Sequence, residues 1–440
     1  MKNNIISHKK SFAQEVEAMR TMVKVLGFTL LLIALVGSVM AANQPRAVAT
    51  DAAYLRISDD AQKSTGVKVS LISSDQSLTR IRYEIGQYAT QEVEINDELY
   101  YRIVMGSEPN IMEKGMPDLP FVCRSIIISD NAKVDVQVVE SKFVDYQIPV
   151  APSRGHISRD INPRDVPYEF SDKYSSNQFY PQSLVRLGAP YILRDFRGIT
   201  VTLYPFAYNP VMQTLRVYTE LVVEVRNVGV DSRNVKTKTV KVNNRYFTEI
   251  YENHFLNYDK GKYSPVGEHG RMIVITHADF VNAIRLYVNW KNQKGIPTEV
   301  YDVADIGTTA DEIKAFIQNE YDLGDGLTFV QFVGDAEHIP TFLISRDFCD
   351  GLATSDPSYA LLEGNDSYPD IFVGRFSGTT FADIETQVER TVWYERDITS
   401  GDWLHKGTGL GSIWGSGYGY MGLADWELVE MLRLMLLGYT

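Results

Sequence analysis

Residues Glu363 to Phe376 read EGNDSYPDIFVGRF, three oxygen-bearing side chains (Asn365, Asp366, Asp370) in a turn that runs directly into an apolar strand. Such a turn fixes a loop at the edge of a buried sheet, and its carboxylates repel one another unless they are solvated, hydrogen-bonded or shared by a cation. The strand belongs to a series that begins after Arg271. Met272 to Thr276 is an apolar strand; Phe280, Ile284, Tyr287 and Val288 share a helical face that ends at Gly295; Thr298 to Val303 is the next strand. Thr309-Ala310-Asp311-Glu312 has the form of a capping box and opens a helix carrying Ile313, Phe316 and Ile317, followed by a strand from Leu327 to Val333. Beyond Phe376 come a helix with Ile384, Val388 and Val392, a weaker strand near Gly409 to Trp414, and a helix from about Asp425 that aligns Leu428, Met431, Leu432, Met435 and Leu436. Strand and helix in alternation predict a mostly parallel sheet covered on both faces. The apolar face of the last helix calls for one more strand after it, so this α/β domain is expected to be incomplete.

Upstream the rhythm differs. Between about Asn43 and Val230, Val134, Val136 and Val138 alternate with polar neighbours, and so do Leu215, Val217, Leu221, Val223 and Val225. Period two with dense turn punctuation (Gly115-Met116-Pro117, Asn162-Pro163, Asn209-Pro210) predicts an antiparallel β-sandwich over residues 43–230. Residues 231–262 are polar and basic around an aromatic patch from Tyr246 to Tyr258, which reads as an accessible, partly docked linker. The fold class expected is therefore α+β in two domains, with the α/β domain spanning residues 263–440.

A net charge of −13 without a clustered Lys/Arg stripe excludes a nucleic-acid surface. Residues 25–36, VLGFTLLLIALV, follow Lys24 and precede Val39-Met40-Ala41, the charge, apolar core and cleavage pattern of a secretory signal over residues 1–41. The run is too short for a stable membrane span, and the long stretch before Lys24 leaves Met19 or Met22 as alternative starts. Export to the cell surface or beyond is the expectation. Cys123 and Cys349 are the two cysteines, and neither has a neighbouring histidine or metal-ligand spacing.

In open α/β sheets ligands gather beyond the carboxyl ends of the strands. His277 and Asp279 follow the first strand, as a helix cap with a surface histidine or as site residues. Gly334-Asp335-Ala336-Glu337-His338 follows a central strand and offers either a metal or acid/base site or a wall that positions one. Asn365, Asp366 and Asp370, with carbonyls such as those of Glu363 and Tyr368, read as an oxygen-only calcium shell or as a turn that uses Asn and Asp for its backbone. Asp425 reads as a helix N-cap or as the floor of a pocket for a cationic side chain. No histidine stands after a strand with a cysteine or serine to activate. The bend and the strand tips together are expected to form one rim of a cleft.

These motifs resemble the gingipain family of cysteine endopeptidases with its propeptide, over about residues 110–440. The resemblance is carried in order by GMPDLP (115–120), APSRGHISRDINPRDVPY (151–168), ILRDFRG (192–198), YNPVMQTLRVYTE (208–220), YSPVGEHGRMIVIT (263–276), WKNQKGIPTEV (290–300), FVGDAEHIP (332–340), GNDSYPDIFVGRF (364–376) and TVWYERDIT (391–399). It implies a zymogen whose β domain is an inhibitory propeptide acting on its own caspase-like peptidase domain, with protein or peptide substrates. Cleavage after Lys262 would make Tyr263 the mature start, and Arg154 or Arg159 would block the active-site cleft. The resemblance also implies a structural calcium held by Asp366 and Asp370 side chains and Glu363 and Tyr368 carbonyls, and Asp425 as partner of a substrate Arg or Lys. The family's catalytic His-Gly pair and nucleophilic cysteine fall downstream of the point matching Thr440, and neither Cys123 nor Cys349 matches that nucleophile. His338 stands where an acidic residue is expected. The rival readings are a non-catalytic surface or adhesion module that keeps the fold, and a processing peptidase of the family that serves a secretion system.

Overall fold

The alternating residues of the first domain assemble as antiparallel ladders. In the computed structural model, which describes residues 53–56, 66–157, 161, 165–238, 244–259, 261, 268–345, 352–398, 400–412 and 424–438, these are β1 (Ala53–Arg56), β2 (Val67–Ser74), β3 (Leu78–Ile85), β4 (Gln87–Ile95), β5 (Glu98–Val104), β6 (Val122–Ile127), β7 (Ala132–Gln147), β8 (Val185–Leu187), β9 (Tyr191–Leu193), β10 (Phe196–Leu203), β11 (Phe206–Asn209) and β12 (Thr214–Val230). Their orders are β1-β4-β5, β6-β10-β8 with β9 also on β10, and β11-β12-β3-β2 with β7 also on β12. The sandwich pattern is thus spread over three sheets. One core joins them: Tyr88 and Ile103 from the first, Val122, Ile126 and Val201 from the second, Ile81, Tyr83, Leu215 and Leu221 from the third. The expected leader over residues 1–41 lies outside the described residues.

Arg197 on β10 has no exposed surface. Its Nε donates to the Asn234 carbonyl at 2.7 Å, Nη1 to those of Ser129 (3.0 Å) and Ala132 (2.8 Å), and Nη2 to that of Arg233 (3.0 Å). A guanidinium satisfies this many acceptors because its donors form a planar fork. It ties the segment after β12 to the turn before β7.

That segment docks in part, through its aromatic patch. It contains helix α1 (Arg245–His254), capped by Asn244, whose side chain accepts from the Tyr246 and Phe247 amides. Phe247 and Tyr251 of α1 are buried with Tyr191, Leu193 and Phe255, and Tyr368 and Phe372 pack against this cluster. The aromatic patch therefore packs between residues of the first domain and of the second.

The second domain follows the strand–helix alternation: β13 (Arg271–Thr276), α2 (Arg285–Gln293), β14 (Thr298–Asp302), α3 (Ala310–Asp322), β15 (Leu327–Val333), a hairpin of β16 (Phe342–Ser345) and β17 (Leu352–Ser355), β18 (Phe372–Phe376), α4 (Phe381–Val392) and α5 (Asp425–Leu437). The order is β14-β13-β15-β18, parallel throughout. Ile273 and Ile275 of β13 face one core with Ile313 and Ile317 of α3, while Met272 and Val274 face another with Ile284, Tyr287, Ile384 and Val388. Capping boxes at Thr309/Glu312 and Thr380/Asp383 start α3 and α4. Residues 409–412 form no strand, and 413–414 lie outside the described residues. Helix α5 buries none of its side chains, and Leu434 and Leu436 are more than half exposed. At that edge of the sheet β18 pairs with β15 alone among the described strands.

Candidate functional site

Parallel strands deliver their carboxyl ends to one edge of the sheet, and there the tips of β13, β15 and β18 meet. His277, after β13, accepts from the Asp279 amide on Nδ1 at 3.3 Å and so caps the short turn Ala278–Phe280. Its ring lies 5.2 Å from that of His338, centroid to centroid, and Phe280 packs on His338 at 4.9 Å. Gly334 leaves β15 at φ +121°, where a Cβ would stand 2.8 Å from the His338 Cβ. The turn must be glycine for His338 to fold back over it.

Asp335 is held from the neighbouring strand tip. Its amide donates to the Gly378 carbonyl at 3.1 Å, and its Oδ1 accepts from the Ala336 amide (2.8 Å) and the Ser377 hydroxyl (3.2 Å). Arg375 of β18 grips the same loop, donating Nη1 to the Gly334 (2.9 Å) and Ile339 (3.0 Å) carbonyls while forming a two-pronged contact with Asp356 at 2.7 Å on each side. Two imidazoles and a carboxylate thus line one rigid wall. The Ser377 hydroxyl donates to the Asp335 carboxylate. Among the described residues no group of three or more His, Cys, Asp or Glu side chains is placed to hold a metal.

The carboxylate bend lies at the other end of the sheet. Asp370 precedes β18, at the amino ends of the strands, so bend and strand tips do not share a rim as expected; a five-residue strand, about 16 Å, separates them. Asp370 is fully buried. Its Oδ2 accepts from the amides of Leu362 (2.8 Å) and Glu363 (2.7 Å), and its Oδ1 from the amide of Arg194 (2.8 Å) in the first domain. Burial pushes the Asp370 carboxyl up to about 7, with the Glu363 charge adding to it, while the three amides pull the other way. Asp366 repeats the division. Its Oδ1 accepts from the Tyr368 amide at 3.0 Å, and its Oδ2 from the Ile192 amide (2.8 Å) and the Asn234 side chain (3.3 Å). Asn234 returns the bond by accepting from the Asn365 amide at 2.7 Å, Lys238 lies 3.2 Å from Glu363, and Tyr191 stacks on Tyr368 at 3.8 Å.

Asp425 is the first residue of α5, and the N-cap is Ala424, whose amide donates to Glu427 at 2.7 Å. Asp425 is half-buried. Arg154 donates to the Val166 carbonyl and lies over the Tyr168 ring. Arg159, Lys262, Tyr263 and Cys349 lie outside the described residues. Cys123 is a free thiol on β6, 3.4 Å from the Thr202 hydroxyl. The residues that sequence reasoning did not single out are Arg194, Asn234 and Lys238. Arg194 sits at φ +46° in the tight turn of the ILRDFRG motif, and that motif was the available signal.

Two family matches divide the chain: the C25 propeptide over residues 60–264 and Peptidase family C25 over residues 266–425. The chain is 37% identical over 379 residues to Gingipain R1 of Porphyromonas gingivalis, covering 84% of this chain and 37% of that protein. It is 36% identical over 389 residues to Gingipain R2 of the same organism, covering 86% and 52%. The chain thus spans about half or less of these curated relatives. Among solved structures, a complex of P. gingivalis RgpB pro- and mature domains matches at 35% identity and TM-score 0.40, covering 43% of this chain and 98% of that one. Propeptide and peptidase regions follow one another in the order of a precursor, and the chain belongs to the gingipain family, peptidase family C25.

Proposed function

We propose that this chain is the propeptide and the leading part of the peptidase region of an exported cysteine endopeptidase precursor that cleaves after Arg or Lys. The observation that carries the reading is the succession of the two family matches, meeting at residues 264 and 266, next to the expected cut between Lys262 and Tyr263. His277, Asp335 and His338 form the fixed wall of the substrate cleft. The thiol and its imidazole base are expected beyond Thr440. There the thiolate attacks the scissile carbonyl, the imidazolium returns its proton to the leaving amine, and water releases the acyl-enzyme. Arg154 or Arg159 would occupy the cleft until the propeptide leaves.

Asp425 is assigned to the pocket for the substrate's cationic side chain. Peptide-library profiling of the full-length protein is expected to show Arg or Lys before the cut. Asp425→Asn should lower kcat/KM on such substrates about a hundredfold or more, the loss expected when one member of a desolvated ion pair goes. A profile indifferent to basic residues rules the assignment out.

Calcium is assigned to the bend. The donor set of Asp366 and Asp370 side chains with Glu363 and Tyr368 carbonyls is oxygen throughout, the donor type that ion takes, and because all four carboxylate oxygens already accept N–H bonds the ion would compete with those amides. Chelation is expected to lower the melting temperature of the full-length protein, since a ligand present at a hundred times its Kd contributes about 2.7 kcal/mol. An unchanged melting curve discards the ion.

A further inference from the structure

Thr276 of β13 and Val333 of β15 are partners in the parallel ladder, so the loops after the two strands leave the sheet side by side at one level. Each contributes an imidazole. His277 is the first residue beyond β13, and His338 is carried back by the turn at Gly334, its amide donating to the Asp335 carbonyl at 2.9 Å. The loop 334–338 by itself lacks a second histidine, and the fold brings one to it from the neighbouring strand. The two ring centroids are 5.2 Å apart. Two imidazoles that share one tetrahedral ion, each through a nitrogen at about 2.0–2.1 Å, have centroids roughly 5 Å apart. Buried Phe280 backs the pair, 4.9 Å from the His338 ring and 6.0 Å from that of His277. Neither Nε2 has a hydrogen-bond partner among the described residues.

The surroundings favour a cation. Residues 277–280 and 334–340 carry the carboxylates of Asp279, Asp335 and Glu337 and no lysine or arginine, while nearby Arg375 is taken by Asp356. Asp279 Oδ2 lies 3.4 Å from His277 Nδ1. In the tautomer with its proton on Nδ1, His277 donates to that carboxylate and keeps the Nε2 lone pair for a metal, the way metal-binding histidines are commonly oriented.

We propose that His277 and His338 form a binding site for a transition-metal dication, zinc by preference, held on their Nε2 atoms. Imidazole nitrogen suits zinc, copper and nickel and not the hard ions calcium and magnesium. The pair supplies two of the four donors of a tetrahedral shell. The Glu337 carboxylate, 65% exposed beside His338, is free to swing in as a third, and water takes the remaining position. Ion binding by these rings does not depend on the chain's being a peptidase precursor.

The test is modification of histidines by diethyl pyrocarbonate in the chelator-stripped full-length protein, read residue by residue by peptide mass spectrometry, with and without zinc chloride. Zinc should slow modification of His277 and His338 by about tenfold or more, with the same midpoint for both, while exposed His405 keeps its rate. Calcium at the same concentration should protect neither. His277→Ala should abolish the protection of His338, and Asp279→Asn should raise the half-protecting zinc concentration about tenfold. A histidine variant can misfold, so the wild-type footprint is decisive. Unchanged rates with zinc, protection of one histidine without the other, or equal protection by calcium overturns the proposal, as does protection of His338 that survives His277→Ala. Zinc held elsewhere, by a thiol for example, does not move this readout, and neither does failure of the peptidase reading.

Discussion

Asp370→Ala is expected to destabilise the folded chain by about 3–5 kcal/mol, measured by urea denaturation. Three amides lose their acceptor at once around a fully buried side chain, and each stranded donor costs about 1–3 kcal/mol. Asn should not rescue. It keeps one acceptor oxygen but turns an NH2 toward N–H donors on the other side, because both carboxylate oxygens are already accepting. A loss under about 1 kcal/mol for Asp370→Ala would mean that water replaces the carboxylate and that the bend is looser than its geometry indicates.

Arg197→Met should cost a similar amount, about 3–5 kcal/mol, for the reverse reason. Here the donor disappears and four carbonyls are left, those of Ser129, Ala132, Arg233 and Asn234. Methionine fills much of the same space, so the loss measures the polar contacts more than a cavity. Arg197→Lys should recover part of it, since an ammonium has three donors but not the planar fork. Equal stability of the Met and Lys variants would show that packing, not hydrogen bonding, decides this position.

The parallel sheet was legible because each strand alternates faces and each helix repeats at the helical period. Ile273 and Ile275 against Met272 and Val274 is the sequence pattern turned into two cores. The capping boxes at Thr309 and Thr380 depend on residues three apart. What stayed hidden is non-local. Ile192 meets Asp366 across 174 positions, and a backbone amide leaves no mark in residue identity. The partial docking of the segment around the aromatic patch of residues 246–258 was legible, but not its partners Tyr191, Tyr368 and Phe372. The bend was recognised as a place where carboxylates need partners, but the partners proved to include amides of another domain. That is also why its position was misjudged: composition says what a loop demands and not at which end of a sheet it lies.

Arg375 reaches from β18 to fasten the Gly334 and Ile339 carbonyls, which bracket His338, while Asp356 fastens Arg375. On the proposed reading this loop meets a ligand already ordered, so its share of the ordering entropy is lost on folding rather than on binding.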